Sequence, residues 1–587
     1  MILAGAAVLA WCYWRLSWTV PATSDGAAIA LQAHDMLHGN LLLHGWTIGD
    51  VSFYTTELPE YMLVELARGM DTGTIHIAAA VTYTLLVLLT GLLARGRTRG
   101  YEGLCRGLLG AGITLAPQLG FGAFVLLLSP DHVGTEVPLM AAWLLLARVE
   151  DPSTALSRGT SPGPPDPRAR LMKSEDIARP KLVSRPWWVP VVLGVLLAWV
   201  QVGDRVSVLT AVVPLIVVCC WRILRARVTG RPWRAVRFEF ALVAAAILSV
   251  AAAEAAGRVL TALGGFHAAQ LKFLPSPLIG THLRLTGWGI LELFGANFTG
   301  ISGAAATFFA VVHLVGLALA AAGLILALAR FLRGRPETDL VSSVLAVAIC
   351  GNLAAFVFTT APGTVIGTGY GAREIAAILP LGAVLAGREL PVRPGGAAGE
   401  TREVGRGRLA GETLPVLAGR VSTAGRWRAG IIRSGKSWVL ATGLAVLACY
   451  AAALGYGAAQ PAAPAQGADL ARWLSAHHLH YGLGGVVSNI TSVQSRGQVW
   501  VAIVSVKGGR VAARHYQSAR LWYDPKRHEA TFLVAAAPGP GHGSAADQVP
   551  RQAVLRTFGP PAHVYHFSGY TVMIWDTNLL PLLKPEL

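Results

Sequence analysis

The stretch that decides the fold is Thr23–Trp46, "TSDGAAIALQAHDMLHGNLLLHGW". It directly follows an apolar segment, "MILAGAAVLAWCYWRLSWTV", that is long enough to cross the hydrocarbon core of a bilayer and is interpreted as a transmembrane helix. Asp25 therefore stands close to the predicted lipid boundary. Ser24 or Asp25 could cap the helix that begins here. The stretch then continues as an amphipathic run, with Ile29 and Met36 on one face, which is typical of a helix at a membrane surface.

The composition predicts a polytopic α-helical membrane protein. Of the 587 residues, 53% are hydrophobic and only 14% are charged, whereas soluble domains carry about a quarter charged residues. Several apolar windows reach the roughly 20 residues that a transmembrane helix needs. The pattern predicts about eleven such helices, near 3–20, 75–94, 107–127, 130–148, 187–202, 205–222, 238–257, 305–329, 339–360, 374–388 and 438–458.

The distribution of charge predicts how the chain is oriented. With the N-terminus in the cytoplasm, the cytoplasmic connections hold 31 of the 49 Lys and Arg residues, while the first external loop, Pro21–Thr74, has only Arg68 against seven acids. This is the positive-inside pattern of a multi-pass protein of the plasma membrane. The net charge of +17 therefore indicates membrane topology, and a nucleic-acid partner is disfavoured.

The chain divides into a membrane module and an external tail. The six cysteines lie in predicted helices or cytoplasmic loops, so neither a disulfide framework nor a Cys/His metal cluster is indicated. Two cytoplasmic loops are rich in Pro, Gly and Arg, which favours disorder. The predicted parts are a transmembrane module (1–458) with a first external loop (21–74) and flexible cytoplasmic loops (149–186 and 389–437), a linker (459–466), and an extracytoplasmic α+β domain (467–587).

The external domain shows both helical and strand periodicity. "ADLARWLSAHHL" and "DQVPRQAVLRTFG" predict helices, and "GQVWVAIVSV", "RVAARHYQ", "ATFLVAAA" and "YTVMIWD" predict strands. Trp473, Trp500, Trp522 and Tyr523 could stack on a glycan acceptor, but for most of them a place in the core is the favoured interpretation.

The segment after the first predicted helix contains an ordered set of acidic, glycine, aromatic and proline positions: Asp25, Gly39, Gly45–Trp46, Phe53–Tyr54, Pro59 and Tyr61. This order resembles the GT-C superfamily of integral-membrane glycosyltransferases, which includes the protein O-mannosyltransferases and the lipid A aminoarabinose transferases. The chain departs from that pattern in two places. Many members carry a lysine where this chain has "ELPE", and the chain lacks "WWDYG", which counts against an oligosaccharyltransferase.

The resemblance implies transfer of a hexosyl or pentosyl group from a polyprenyl-phosphate donor to an extracytoplasmic glycan, lipid or protein. An acceptor hydroxyl must lose its proton as it attacks, and a carboxylate at the membrane surface can accept that proton. Asp25 is the predicted general base. A single base that drives one in-line displacement predicts inversion at the anomeric carbon. The leaving phosphate gains charge, so it needs a cation already in position.

Cations are scarce in the predicted external segments, so each one is informative. Arg373, in the glycine-rich "GTGYGARE", is the first candidate phosphate partner and Lys272 the second; a flexible turn that pairs Arg373 with Glu374 explains the pattern about as well. External acids permit a divalent cation but do not require one, and no cofactor is indicated. The remaining substrate-binding candidates are Tyr54, Glu57, His132 and Arg284.

Ionisable groups near membrane depth usually face a partner or a cavity. Asp204 and Arg205, between two short predicted helices, are expected to pair with each other. His132 and Glu136 are four residues apart, so they would share a face if that stretch is helical. There they could reach the sugar or a second carboxylate site, or could form a surface pair.

Two other functions fit the same composition. One is a transporter or flippase for a lipid-linked precursor, although the paired repeats typical of transporters are not evident. The other is a non-catalytic envelope assembly protein in which Asp25 is only a helix cap. "GIIRSGKS" matches a phosphate-loop pattern, but it lies between an Arg-rich loop and a predicted transmembrane helix, so it is interpreted as a chance match.

Overall fold

The structure is a computed structural model. It describes residues 2–128, 132–149, 186–268, 274–299, 301–334, 339–360, 370–390, 444–485, 487–536, 549–567 and 569–583. Both predicted flexible cytoplasmic loops lie almost entirely outside these residues, and so does Lys272.

Helices dominate the described membrane module. In chain order they are α1 Ile2–Ser17, α2 Ser24–Leu37, α3 Glu57–Arg68, α4 Thr72–Arg95, α5 Gly100–Thr114, α6 Val133–Val149, α7 Trp188–Gly203, α8 Val213–Val228, α9 Arg237–Ala262, α10 Ile279–Leu293, α11 Ala304–Arg333, α12 Leu340–Phe358, α13 Ile378–Glu389 and α14 Leu444–Ala458. The shorter turns are Phe121–Leu128, Val208–Val212, Trp233–Val236 and Tyr370–Ile375.

The helical character of the module is confirmed, but the count of about eleven membrane spans is not. Among the described residues, five helical segments are long and apolar enough to cross a membrane, and others, such as α7 and α14, are apolar but shorter. The predicted helix 107–127 is wrong as a single element. It ends at Thr114 and resumes at Phe121 after Gly120, whose φ of 81° does not fit a helix.

The order of the helices brings distant loops to one end of the bundle. Side-chain contacts join the loops after α1, before α6, after α7 and before α13, since Arg373 lies 3.5 Å from Asp25 and His132 lies 2.6 Å from Asp204 and 2.9 Å from Glu374. We call this end of the bundle the outer end. At the opposite end, Arg388 Nε donates to Asp339 Oδ2 (2.9 Å) and Arg330 pairs with Glu389.

The tail forms an α+β domain, as predicted. Its helices are α15 Ala468–Ala476, α16 Ser488–Gln494 and α17 Arg551–Phe558, and its sheet has the order β5-β4-β3-β7-β9-β8. The strands are β3 Tyr481–Gly484, β4 Trp500–Lys507, β5 Arg510–Ala513, β7 Phe532–Ala536, β8 His563–Phe567 and β9 Tyr570–Ile574. The elements β3, α16 and β8 were not predicted from the sequence.

A second, small sheet joins this domain to the first external loop. Strand β1 (Trp46–Ile48) pairs in parallel with β2 (His267–Ala268) and antiparallel with β6 (Ser518–Ala519). The linker also contacts the membrane module, since Ala463 N donates to Trp18 O (2.7 Å). The tail is therefore fixed against the outer end of the bundle.

Candidate functional site

Asp25 lies in the first turn of α2 but does not cap it. The N-cap is Thr23, whose hydroxyl oxygen accepts from Gly26 N (3.0 Å). The Asp25 side chain is 23% exposed and faces other elements: Oδ2 lies 3.5 Å from Arg373 Nη1, and Oδ1 accepts from Gln517 Nε2 (3.0 Å). The carboxylate is therefore held by partners from two distant parts of the chain.

Arg373 lies in the short helical turn Tyr370–Ile375 that precedes α13. Besides Asp25, its guanidinium faces Glu374, with Nε 3.6 Å from Oε1. Of the two alternatives for this arginine, the pair with Glu374 is present, and the same guanidinium also contacts Asp25. Asn352 Nδ2 donates to Glu374 O (3.2 Å), which ties the turn to α12.

His132 continues the chain of contacts on the other side of Glu374. Its Nε2 lies 2.9 Å from Glu374 Oε2, and its Nδ1 lies 2.6 Å from Asp204 Oδ2. Thr135 Oγ1 also donates to Asp204 Oδ2 (2.8 Å). His132 precedes α6 with a φ of 62°, so the backbone there is in the left-handed region, which is uncommon for a residue other than glycine. Such strain is found where the surroundings fix a side chain.

The five ionisable groups alternate in sign. We call Asp204, His132, Glu374, Arg373 and Asp25 the Arg373 cluster. Both ring nitrogens of His132 face carboxylates, and an imidazole can donate from both nitrogens only as the imidazolium. Burial raises the pKa of Asp204, but the charge of His132 and the bonds from His132, Thr135 and Val206 N outweigh it and leave that pKa below its usual value.

A cavity of about 750 Å³ is lined by Asp50 and by Gly203 and Arg205, the two neighbours of Asp204 in sequence. Glu254 and apolar groups of α9 complete much of its lining, and none of the five residues of the Arg373 cluster is among its described lining residues. Burial and the nearby Glu374 raise the pKa of Asp50, against the opposing charges of His132 and Arg373, so Asp50 lies within electrostatic reach of the cluster.

Other predicted site residues lie apart from the cluster. Tyr54 is half-buried and donates its hydroxyl hydrogen to Leu41 O (3.0 Å). Glu57 is 5% exposed and packs against Gly134 of α6. Arg284 is exposed on α10 and, among the described residues, forms no hydrogen bond or ion pair with the cluster. Lys272 lies outside the described residues.

The expected pair between Asp204 and Arg205 is wrong. Asp204 turns inward to His132, while Arg205 Nη2 lies 3.5 Å from Glu254 Oε1. Neighbours in sequence compete with tertiary partners, and here the buried imidazole is the better-placed donor. His132 and Glu136 do not form a pair on one helix face either, because His132 precedes α6 and points to Asp204 and Glu374.

The aromatic residues of the tail mostly serve its packing. The rings of Trp500 and Trp522 lie 5.8 Å apart, and Trp522 also contacts Trp46 of the first external loop (5.1 Å). Tyr523 donates its hydroxyl hydrogen within the domain, with Ile503 O at 2.6 Å and Arg514 O at 2.8 Å. Trp473 is half-buried and stacks on His477.

Sequence reasoning missed two contributors to the site. Glu374 was considered only as a partner for Arg373, and its bond to His132 depends on loops 242 residues apart in the chain. Gln517 carried no signal at all, because a lone glutamine in a tail resembles any surface residue. Among the described residues, no group of three or more His, Cys, Asp or Glu side chains is arranged to hold a metal ion.

Comparisons with known proteins give similarities of fold at low identity. The chain is similar over its whole length to ArnT from Cupriavidus metallidurans bound to undecaprenyl phosphate (TM-score 0.49, 11% identity, 98% of that chain) and to the apo state of ArnT (0.49, 13%, 98%). The apo oligosaccharyltransferase of Archaeoglobus fulgidus is similar over 91% of this chain and 69% of its own (0.44, 11%). No protein-family model and no curated protein matches the sequence.

Proposed function

We propose that this protein is a membrane glycosyltransferase of the GT-C type, which moves a sugar from a polyprenyl-phosphate donor to an extracytoplasmic acceptor. The N-terminus is cytoplasmic in this proposal, the membrane is the plasma membrane, and the acceptor is a glycan, lipid or protein of the cell envelope. The observation that carries the proposal is the contact between Asp25 and Arg373 at the outer end of the bundle.

That contact supplies the two groups that the reaction needs. Thr23 already caps α2, so capping does not account for Asp25. The carboxylate follows α1 directly and therefore lies near the membrane surface, where a lipid-anchored donor presents its anomeric carbon. Arg373 comes from a turn 348 residues away in sequence, and it places a positive charge beside the carboxylate.

The chemistry follows from these positions. The Asp25 carboxylate accepts the proton of the acceptor hydroxyl as the acceptor oxygen forms its bond to the anomeric carbon. The bond from that carbon to the phosphate oxygen breaks, and its electron pair leaves with the polyprenyl phosphate. Arg373 stabilises the negative charge that grows on this phosphate. One displacement inverts the configuration, and a hexose or a pentose fits the same scheme.

The cavity beside Asp50 offers room for a sugar-sized group. Its volume of about 750 Å³ lies within the usual range of roughly 300–1,000 Å³ for small-molecule sites. Its lining includes the apolar Val208, Val250 and Phe266 as well as the charged Asp50 and Arg205. An amphiphilic ligand such as a lipid-linked sugar suits a cavity lined by both kinds of side chain.

The test is a transfer assay with the full-length protein in vesicles. Polyprenyl phosphates that carry different labelled sugars are supplied one at a time, with and without an envelope extract as acceptor source. We expect release of free polyprenyl phosphate, with the label passing to an acceptor or, slowly, to water. Label that crosses the bilayer on an intact lipid would favour a flippase, and neither release nor movement across the whole panel would refute both.

A further inference from the structure

The segment Arg514–Ala519 of the tail lies over the first external loop. Strand β6 pairs with β1 in the register Trp46 with Ala519 and Thr47 with Ser518, and Arg520 N donates to Gly45 O (2.9 Å). These backbone bonds fix the segment against the membrane module, so the side chains between β5 and β6 have a defined position above α2.

Gln517 lies at the point where this segment meets α2. Its φ is 54°, in the left-handed region, and Asn489 Nδ2 donates to its carbonyl oxygen (3.3 Å). Its neighbour Tyr516 packs closely against Gly49 of the first loop. A Cβ atom on residue 49 would lie only 3.3 Å from the Tyr516 hydroxyl oxygen. A strained backbone that persists under such contacts indicates that the surroundings determine the conformation.

The side chain of Gln517 reaches the proposed base. Its Nε2 donates to Asp25 Oδ1 (3.0 Å), while Arg373 faces Oδ2 (3.5 Å). A carboxylate on a short side chain can rotate about its final bond, but donors on both oxygens hold its plane in one orientation. The lone pair that takes the proton then points in a fixed direction, which a positioned general base requires.

We propose that Gln517 is a positioning residue for Asp25, and that the C-terminal domain is therefore a working part of the transferase site. This inference rests on the proposed function. The domain contributes one amide hydrogen bond to the base, and the small β1–β6 sheet keeps that amide in place. Gln517 itself does not touch the reacting atoms.

The experiment replaces Gln517 with side chains of similar length in the full-length protein. Gln517→Met removes the donor, and Gln517→Glu replaces it with a second carboxylate. Gln498→Met is the matched control, since Gln498 is exposed in the same domain. The measurements are kcat and KM for the labelled donor, the pH–rate profile and the thermal unfolding midpoint.

We expect kcat of Gln517→Met to fall about 10- to 100-fold, because a misdirected base reacts slowly, with KM and the unfolding midpoint near the wild-type values. Gln517→Glu is expected to shift the acid limb of the pH–rate profile upwards by about one pH unit, because a like charge disfavours an ionised carboxylate. Arg373 also faces Asp25, with Glu374 on its other side, and both residues are unchanged in this variant.

The outcomes separate this inference from the proposed function. An inactive wild-type protein across the donor panel overturns the proposed function and this inference with it. An active wild type with unchanged Gln517→Met kinetics overturns the positioning role alone. A lower unfolding midpoint with unchanged kcat and pH profile in both variants assigns Gln517 a structural role and also overturns the inference.

Discussion

The Arg373 cluster and the acidic face of α3 both place carboxylates inside the protein near the outer end of the bundle, but in opposite electrostatic settings. In the cluster, each carboxylate lies against a cation, as Asp25 does against Arg373 and Asp204 against His132. On α3, Glu57 and Glu60 have no cationic partner among the described residues. Burial raises the pKa of Glu57 to about 8 and that of Glu60 to about 7.

The difference shows how the same residue type serves two purposes within one loop. A paired carboxylate keeps its charge when water is removed and can take part in proton transfer. An unpaired one takes up a proton and packs as a neutral group, as Glu57 does against Gly134 and Glu60 does with Thr82 Oγ1 (2.6 Å). A cationic partner, more than the depth of burial, distinguishes the carboxylates of the Arg373 cluster from Glu57 and Glu60 of α3.

The largest effect is expected from Asp25→Asn. An amide cannot accept the proton of the acceptor, so kcat should fall about 100- to 10,000-fold, while binding of polyprenyl phosphate is retained. Turnover and lipid binding are measured on the same preparation, with Asp576→Asn, an exposed change in the tail, as the control. Full turnover in Asp25→Asn would remove Asp25 from the mechanism.

The next effect concerns stability and follows from Asp204→Asn. Removing one partner of a buried ion pair leaves the other charge uncompensated, which costs about 3–5 kcal/mol. The control is Glu254→Gln, whose pair with Arg205 is half exposed (58% and 50%), and it should cost less than about 1 kcal/mol. Chemical unfolding in detergent measures the free energy of unfolding of both variants. Equal losses in the two would mean that the pair of Asp204 with His132 is no better shielded from water than the pair of Glu254 with Arg205.

The last effect is expected from Glu57→Gln, and it depends on pH. The folded protein holds the Glu57 proton up to about pH 8, whereas the unfolded chain releases it near pH 4.5. The free energy of unfolding of the wild type therefore falls as pH rises between these values. The variant lacks this loss, so its advantage in free energy of unfolding should grow from near zero at pH 4.5 to the order of 4 kcal/mol at pH 8.5.

Thermal unfolding at the two pH values measures this difference. Glu529→Gln, an exposed change in the tail, serves as the control and should show no such trend. If Glu57→Gln changed the unfolding midpoint by the same amount at both pH values, the raised pKa of Glu57 would be contradicted. The setting of Glu57 would then be closer to that of the carboxylates in the Arg373 cluster.

Part of the site could be predicted because its signals are local. Asp25 stands out as an acid directly after an apolar helix, and Arg373 as a scarce cation in a glycine-rich turn. Glu57 carried the same local signal as an external acid, but the structure buries it against α6. The role of Asp204 was also misjudged, because its neighbour in sequence, Arg205, pairs with a different helix. Local pattern identifies a charge but not its partner.

By itself, the sequence determined that the chain is an apolar helical protein with an α+β tail, and that acids collect between its first two long apolar segments. Periodicity and composition carry this information because each helix or strand depends on neighbouring residues. Only the tertiary structure decided that Asp25 meets Arg373 and Gln517, and that Glu57 meets none of them. Those contacts join residues hundreds of positions apart, and packing of the helices and the β1–β6 pairing sets them.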